Sequence, residues 1–154
     1  MMCDIPIPID DSEGIVRAIL TIHLDPKGKL KTNTFRPKPG TQDVSVMRHS
    51  YMGSDACKVK AKGIISSSAK IEYKGLAVVG ASEIRAVGSE VTDSRNGMGH
   101  YCGHADISHG SVNPPAGEPD DPMLVDKLRA LKNAARYYPD PDPSNENWTG
   151  RLIE

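Results

Sequence analysis

The residues from His100 to His109 form the densest concentration of chemically active side chains in the sequence. Three of the five histidines and one of the three cysteines fall within these ten positions. Histidine and cysteine are the side chains that zinc binds most readily, and histidine also transfers protons near neutral pH. This stretch is therefore the first candidate for metal binding or for acid–base chemistry.

An extended backbone would bring four of these side chains to one face, because alternate residues of a strand point in the same direction. The four are His100, Cys102, His104 and Asp106. We predict them as ligands of one ion, with zinc as the metal and no other cofactor. The alternative is that the histidines and the cysteine pack beside a sheet while Asp106 caps a turn, since no second CxxC or HxxxH pair accompanies them.

Cys57 is the candidate nucleophile. A thiol becomes reactive near a cation, a base or a helix N-terminus, and lysines at alternate positions follow this cysteine. Glu83 could hydrogen-bond the far nitrogen of a histidine and fix its tautomer. The sequence thus predicts a catalytic group of Cys57, Glu83 and His104. The alternatives are an inert buried cysteine and a solvated Glu83.

Among the histidines, His104 has the best-held position. Small and apolar residues follow it, as expected for a strand that enters a core. His100 directly follows a loop with two glycines, and His109 precedes Gly110 at an expected turn. Because a functional group must be held precisely, we predict that His104→Ala impairs function more than His100→Ala or His109→Ala.

Two arginines are candidates for binding a carboxylate or phosphate of a substrate, since the guanidinium group is a planar fork of donors. Arg48 follows a short β-rich segment, and Arg85 lies in a predicted helical turn. Arg85 is two positions from Glu83, so the two side chains do not face each other on a helix and each needs a distant partner. A purely structural role is the alternative for both arginines.

The elements that must position these groups include a strand at Val16–Leu24, where apolar residues occupy every second position. A turn at 25–28 would return the chain as a partner strand at Leu30–Phe35. Another short strand is predicted to end at Val79 and to lead into a helical turn at Ala81–Ala86. A weaker pattern predicts a helix at Ser54–Lys62, with Cys57 inside it.

The clearest helix lies late in the chain. Asp120 or Asp121 can cap it, and Pro122 suits its first position. Apolar residues then recur at helical spacing until Pro139, namely Leu124, Leu128, Leu131, Ala135 and Tyr138. We therefore predict a helix over Met123–Tyr138 and an α+β fold, in which a mostly antiparallel sheet is covered by this one main C-terminal helix.

The length of 154 residues suits a single domain. We expect a disordered or extended start at 1–14, one α+β domain at 15–138, and a proline-rich tail at 139–154 that docks back through Trp148. No signal peptide or membrane-spanning run is recognisable. Three cysteines at wide spacing make a poor disulfide framework, so the sequence predicts a cytoplasmic protein.

The segments around Phe35–Pro37, Val44–Arg48, Cys57, Ala81–Arg85 and His104–Ile107 resemble small bacterial proteins of the CEHH type, named for Cys, Glu, His and His. The resemblance covers about residues 15 to 110. It implies an accessory role in antiviral defence, in gene neighbourhoods of conflict or ubiquitin-like modification systems. It also assigns the first two roles to Cys57 and Glu83, while His100, His104 and His109 remain alternatives for the others.

Two functional hypotheses follow. The first is a small cytoplasmic enzyme with a Cys/Glu/His site for hydrolytic or metal-assisted chemistry. The second is a non-catalytic interaction module that docks on a larger protein partner, using the proline-rich stretch Ser111–Asp121 or the apolar tail around Trp148. The formal charge of −1 does not favour nucleic acid as a partner, and no segment favours a membrane.

Overall fold

The computed structural model describes residues 3–63, 71–110, 113–115 and 117–154. The described residues form one antiparallel sheet of six strands and three α-helices, which confirms the predicted α+β class. The strands are β1 (Gly14–Leu20), β2 (Asp43–Arg48), β3 (Tyr73–Gly80), β4 (Glu90–Asp93), β5 (His104–Ser108) and β6 (Arg136–Pro139). The helices are α1 (His49–Gly63), α2 (Ala81–Ala86) and α3 (Pro122–Ala134). The strand order is β4-β5-β2-β1-β3-β6.

Strand β1 lies inside the sheet and has apolar side chains on both faces. Ile15 belongs to the hydrophobic cluster beneath α2 and α3, whereas Val16 and Ala18 belong to the cluster beneath α1. Because successive residues of a strand point to opposite faces, these two clusters lie on opposite sides of the sheet. The protein therefore has three layers, with the sheet between α1 and the α2–α3 pair.

Helix α3 begins as the sequence predicts. The carboxylate of Asp121 accepts a hydrogen bond from the backbone N–H of Met123 at 3.0 Å, and Pro122 is the first helical residue. Its leucine stripe is buried against the sheet, with Leu124, Leu128 and Leu131 at most 1% exposed.

The predicted continuation of this helix to Tyr138 is wrong. Helix α3 ends at Ala134, and Tyr138 lies in β6, opposite Leu76 of β3. Gly75 permits this pairing, because a Cβ atom at that position would lie 2.4 Å from the backbone oxygen of Tyr138. The apolar residues that recur at helical spacing therefore belong to two elements: the leucines lie in α3, and Tyr138 lies in the edge strand β6.

Helix α1 covers the opposite face of the sheet. It begins at His49, five residues before the predicted start, and Gly53 interrupts it with φ of 80°. A positive φ suits glycine, so the kink occurs where the chain can turn without strain from a side chain. The regular part then presents Cys57 and Ala61 to the sheet.

The turn predicted at 25–28 is confirmed, but the two paired strands predicted on either side of it, Val16–Leu24 and Leu30–Phe35, are wrong. β1 ends at Leu20, and two short 3-10 helices, Thr21–His23 and Thr32–Phe35, follow it, with one isolated bridge between Leu24 and Leu30. Strand β1 instead pairs with β3 along its whole length and with β2 at Ile15 and Val16, so its ladders are formed with distant strands and not with the segment that follows it.

Both ends of the described chain are attached to the body. Cys3 forms a disulfide with Cys102, which contradicts the expectation that the cysteines form no disulfide framework and removes that argument for a reducing compartment. At the other end, Lys58 of α1 bonds Asp140, and Trp148 packs against the cluster beneath α1. No helix in the described part of the chain is long and apolar enough to cross a bilayer.

Candidate functional site

Cys57 is completely buried between α1 and the sheet. Burial raises the pKa of its thiol to about 12, because the thiolate would lose its hydration. The group therefore stays a neutral thiol at physiological pH, and its environment is that of a small core residue. The predicted nucleophile lacks both the access and the ionisation that nucleophilic attack requires.

Glu83 lies on the other side of the sheet, in α2. Its carboxylate accepts a hydrogen bond from the backbone N–H of Gly80 at 2.9 Å and so caps its own helix. Cys57 and Glu83 are separated by the sheet, so the predicted group of Cys57, Glu83 and His104 is not brought together. The expected bond from Glu83 to a histidine is replaced by a local bond to the backbone.

His104 is the first residue of β5 and is 5% exposed. Its Nδ1 lies 2.6 Å from the hydroxyl of Ser94, and the ring of His100 stacks on it with centroids 3.7 Å apart. Burial, followed by the neighbouring His100, lowers the pKa of His104 to about 4. The imidazole is therefore neutral at physiological pH and is a weak base for the Ser94 hydroxyl.

The four predicted zinc ligands are not gathered around one point. The sulfur of Cys102 is bonded to Cys3, and residues 100–103 form a turn, so alternation along a strand holds only for His104 and Asp106. Among the described residues, no group of three or more His, Cys, Asp or Glu side chains is placed to hold a metal ion. The donor set therefore does not fit the predicted site.

The side chain of Arg48 is fully buried, whereas an arginine that binds a substrate must be accessible to it. It donates to both carboxylate oxygens of Glu13, at 2.9 and 2.8 Å, and to Asp93 at 2.8 Å. It also donates to the backbone oxygens of Pro6 and Pro8. Although burial opposes the charge, these carboxylates raise the pKa of Arg48 above its ordinary value. Arg48 holds the N-terminal segment against β2.

Arg85 is also used within the molecule. Its guanidinium donates to Asp11 at 2.6 Å and to Glu90 at 2.7 Å, and the side chain is 29% exposed. These two bonds connect α2 to the N-terminal segment and to β4. Both arginines that the sequence assigns to substrate thus have carboxylates of this chain as partners.

A groove of about 790 Å³ opens where β1 and β2 separate. The two strands pair at only two positions, Ile15 with Arg48 and Val16 with Met47. From Arg17 onward they diverge, and the connection from Thr21 to Gln42 passes around the open end. The polar residues most relevant to binding among those lining the groove are Arg17, His23, Asn33, Ser45, Lys60 and His100.

Arg17 lies beside the last residue pair of the β1–β2 ladder, at the closed end of the groove. Its Nε donates to the backbone oxygen of Thr34 at 3.1 Å, and its Nη1 donates to that of Ser45 at 3.0 Å. Burial lowers its pKa to about 10. In the described part of the chain no carboxylate pairs with Arg17, and its Nη2 has no hydrogen-bond partner. The groove therefore ends at a cation that no acidic side chain of the described residues neutralises.

Asn33 and His23 add a polar wall near Arg17. The Asn33 side-chain nitrogen donates to the backbone oxygen of Ile22 at 2.9 Å, while its Oδ1 is the buried side-chain atom without a partner among the described residues. His23 accepts the backbone N–H of Leu20 on Nδ1, so its proton is on Nε2. Burial, with the charges of Arg17 and Lys31, lowers the pKa of His23 to about 4.

The groove has an excess of positive charge. Its lining contains the cations Arg17, Arg36, Lys38 and Lys60 and a single carboxylate, Asp43. Arg36 is paired with Asp120 at 2.9 Å, and Lys60 lies over the ring of Tyr101 at 4.4 Å. His23 and His104 contribute no charge at neutral pH, because both pKa values are about 4. Such a lining attracts an anionic group.

Arg17 and Asn33 were missed by reasoning from the sequence. The signal for Arg17 was its position, since it interrupts a run of buried residues in the first strand of the sheet. No pattern identifies Asn33, because its role depends on a 3-10 helix that replaces the predicted strand.

Comparison with protein-family models, curated protein sequences and solved structures finds no match to this chain. The resemblance to CEHH-type proteins stays a prediction.

Proposed function

We propose that this chain is a non-catalytic interaction domain whose groove between β1 and β2 binds an acidic segment of a partner protein. The observation that carries this proposal is Arg17, a half-buried cation at the closed end of a groove, with backbone oxygens as its only described partners. A buried charge is costly unless it is paired. An incoming carboxylate would provide the missing partner.

Catalysis has weaker support at the same place. The thiol of Cys57 is buried, Glu83 caps its helix, and the basicity of His104 is low. The thiol is neither accessible nor ionised, the Glu83 carboxylate is occupied by the backbone of its own helix, and His104 is too weak a base for efficient proton transfer at neutral pH. The groove offers charge and hydrogen-bonding groups instead, which are sufficient for recognition.

A protein segment fits this groove better than a nucleic acid does. The formal charge of the chain is −1, so the molecule has no general attraction for polyphosphates. The groove also runs along β2, whose edge is unpaired with β1 over Asp43–Val46. An extended peptide can lie along such an edge and form backbone hydrogen bonds with it.

The test uses a soluble library of random heptapeptides with free C-termini, passed over the immobilised full chain. We expect retained peptides to be identified by mass spectrometry and the Arg17→Met variant to retain them at least tenfold less. The matched control is Arg129→Met, which removes the same charge from an α3 side chain that is 60% exposed.

Retention equal on wild type, Arg17→Met and Arg129→Met would contradict a binding role for the groove, as would the absence of retained peptides. Thermal unfolding of each variant, followed by circular dichroism, establishes that the comparison is between folded proteins. Retention lost in Arg17→Met and kept in Arg129→Met would support the proposal.

A further inference from the structure

We infer that the anion received by the groove is the C-terminal carboxylate of an extended peptide, an inference that rests on the proposed function. Three features of the groove carry it: the point at which the strands rejoin, the free donors of Arg17, and the unpaired acceptor of Asn33.

The groove is closed at the end where Arg17 lies. Strands β1 and β2 are paired at Val16 and Met47, directly beyond this residue. A peptide that runs along β2 toward Arg17 would therefore meet a sheet with no gap left between its strands. The peptide must end at that point, and the Arg17 guanidinium there favours the C-terminal carboxylate over the N-terminal ammonium group.

Arg17 is suited to receive that group. Two of its nitrogens are fixed by the backbone oxygens of Thr34 and Ser45, which orient the guanidinium plane. Its Nη2 is without a partner in the described part of the chain and remains available as a donor. A charge-assisted bond from a preoriented guanidinium is among the stronger hydrogen bonds available to a ligand.

Asn33 distinguishes a peptide end from a simple anion. Asn33 is one of the residues that line the same groove, and its Oδ1 is a buried acceptor without a partner among the described residues. An acceptor repels a phosphate or carboxylate oxygen and needs an N–H donor. The last residue of a peptide supplies both an N–H donor and an anion, since its backbone nitrogen is bonded to the carbon that carries the carboxylate. A free inorganic anion supplies only one of them.

The experiment compares each retained heptapeptide as the free acid and as the C-terminal amide, by isothermal titration calorimetry with the full chain. We expect amidation to weaken binding about 10- to 100-fold, the range of a lost charge-assisted hydrogen bond. Arg17→Met should bind acid and amide equally, whereas Arg129→Met should keep the wild-type ratio.

Binding of the amide within about twofold of the acid would overturn the inference while leaving the proposed function intact, because the peptides would still bind through internal acidic residues. Inorganic phosphate is the second probe. The comparison compound is N-acetylglycine, which has a backbone N–H and a free carboxylate. If phosphate displaced the free-acid peptide at a lower concentration than N-acetylglycine did, the inference would be overturned in favour of a phosphate site. A loss of affinity on amidation that is seen with wild type and is absent in Arg17→Met would support the inference. If the proposed function itself were wrong, no peptide would be retained in the library test and neither the acid nor the amide would bind.

Discussion

Arg48 and Arg17 lie on neighbouring strands, yet their surroundings are opposite. Arg48 is fully buried and bonds the carboxylates of Glu13 and Asp93. Arg17 is half-buried and bonds only backbone oxygens among the described residues. The pKa of Arg48 is raised by its carboxylates, whereas burial lowers that of Arg17 to about 10.

The difference separates a structural cation from a binding cation. Where two carboxylates of the same chain neutralise a guanidinium, its binding capacity is used for folding, and a ligand would have to displace them. Where the chain supplies only carbonyl dipoles, the guanidinium retains capacity for an external anion. Both residues are arginines on strands of the same sheet, so residue type and secondary structure do not distinguish them. They differ in whether carboxylates of the described chain lie beside them.

The largest expected effect is on Arg48. Replacement by methionine should lower the free energy of unfolding by about 3–5 kcal/mol, because Glu13 and Asp93 would be left as buried, unneutralised carboxylates. Urea denaturation monitored by circular dichroism measures the change. A loss below about 1 kcal/mol, equal to that of the exposed Arg129→Met, would remove the structural role assigned to Arg48.

A smaller effect on the free energy of unfolding is expected from Asp93, one of the carboxylates that Arg48 bonds. Burial raises the pKa of Asp93, but hydrogen bonds from Arg95 and Arg48 outweigh this effect and hold the pKa at about 2, below the ordinary value for an aspartate. A carboxyl group whose pKa is lower in the folded state stabilises the fold above its unfolded pKa and loses this contribution as the pH falls through its folded pKa. The contribution is about 2 kcal/mol.

Asp93→Asn tests this dependence. The difference in free energy of unfolding between wild type and Asp93→Asn should shrink by about 2 kcal/mol between about pH 5 and about pH 2, since most of the contribution of the Asp93 carboxylate is lost as the pH falls to its folded pKa. Urea denaturation at a series of pH values measures it. A difference that stays constant over this range would mean that Asp93 keeps an ordinary pKa.

The smallest effect on stability is expected at Arg17. Arg17→Met should change the free energy of unfolding by less than about 1 kcal/mol, because methionine removes a poorly compensated charge while filling similar space. The same denaturation assay measures the change. A loss as large as that of Arg48→Met would show that Arg17 is a structural cation too, and the contrast between the two residues would fail.

Much of the fold could be predicted from local patterns. The alternation that begins at Val16 gives a strand, and the cap at Asp121 with the following leucines gives a helix, because both depend on neighbouring residues. Tyr138 and Phe35 were placed in the wrong elements, because their pairing or burial depends on contacts with distant strands. Local spacing cannot report that β1 pairs with the distant strands β3 and β2, or that Gly75 allows a backbone to approach closely.

The candidate site was less predictable. Cys57 and His104 were singled out by residue type, but the pKa values that decide their chemistry depend on burial, which comes from α1 and from the stacked ring of His100. The partners of Arg48 lie 35 and 45 positions away, so no local pattern joins them. Arg17 differs from the other arginines of the site in having no carboxylate partner among the described residues. Only the folded structure reveals this difference.

The order of the strands has a consequence for how the protein reaches its native state. Val79 pairs with Ile15, His104 with Met47 and Tyr138 with Leu76, so the three longest-range ladders each join segments about 60 positions apart. Closing such loops costs chain entropy before the contacts repay it, so a domain with these ladders refolds more slowly than a helical bundle of the same length. On the ribosome, β1 must wait for β3 to emerge before most of its backbone groups find their partners.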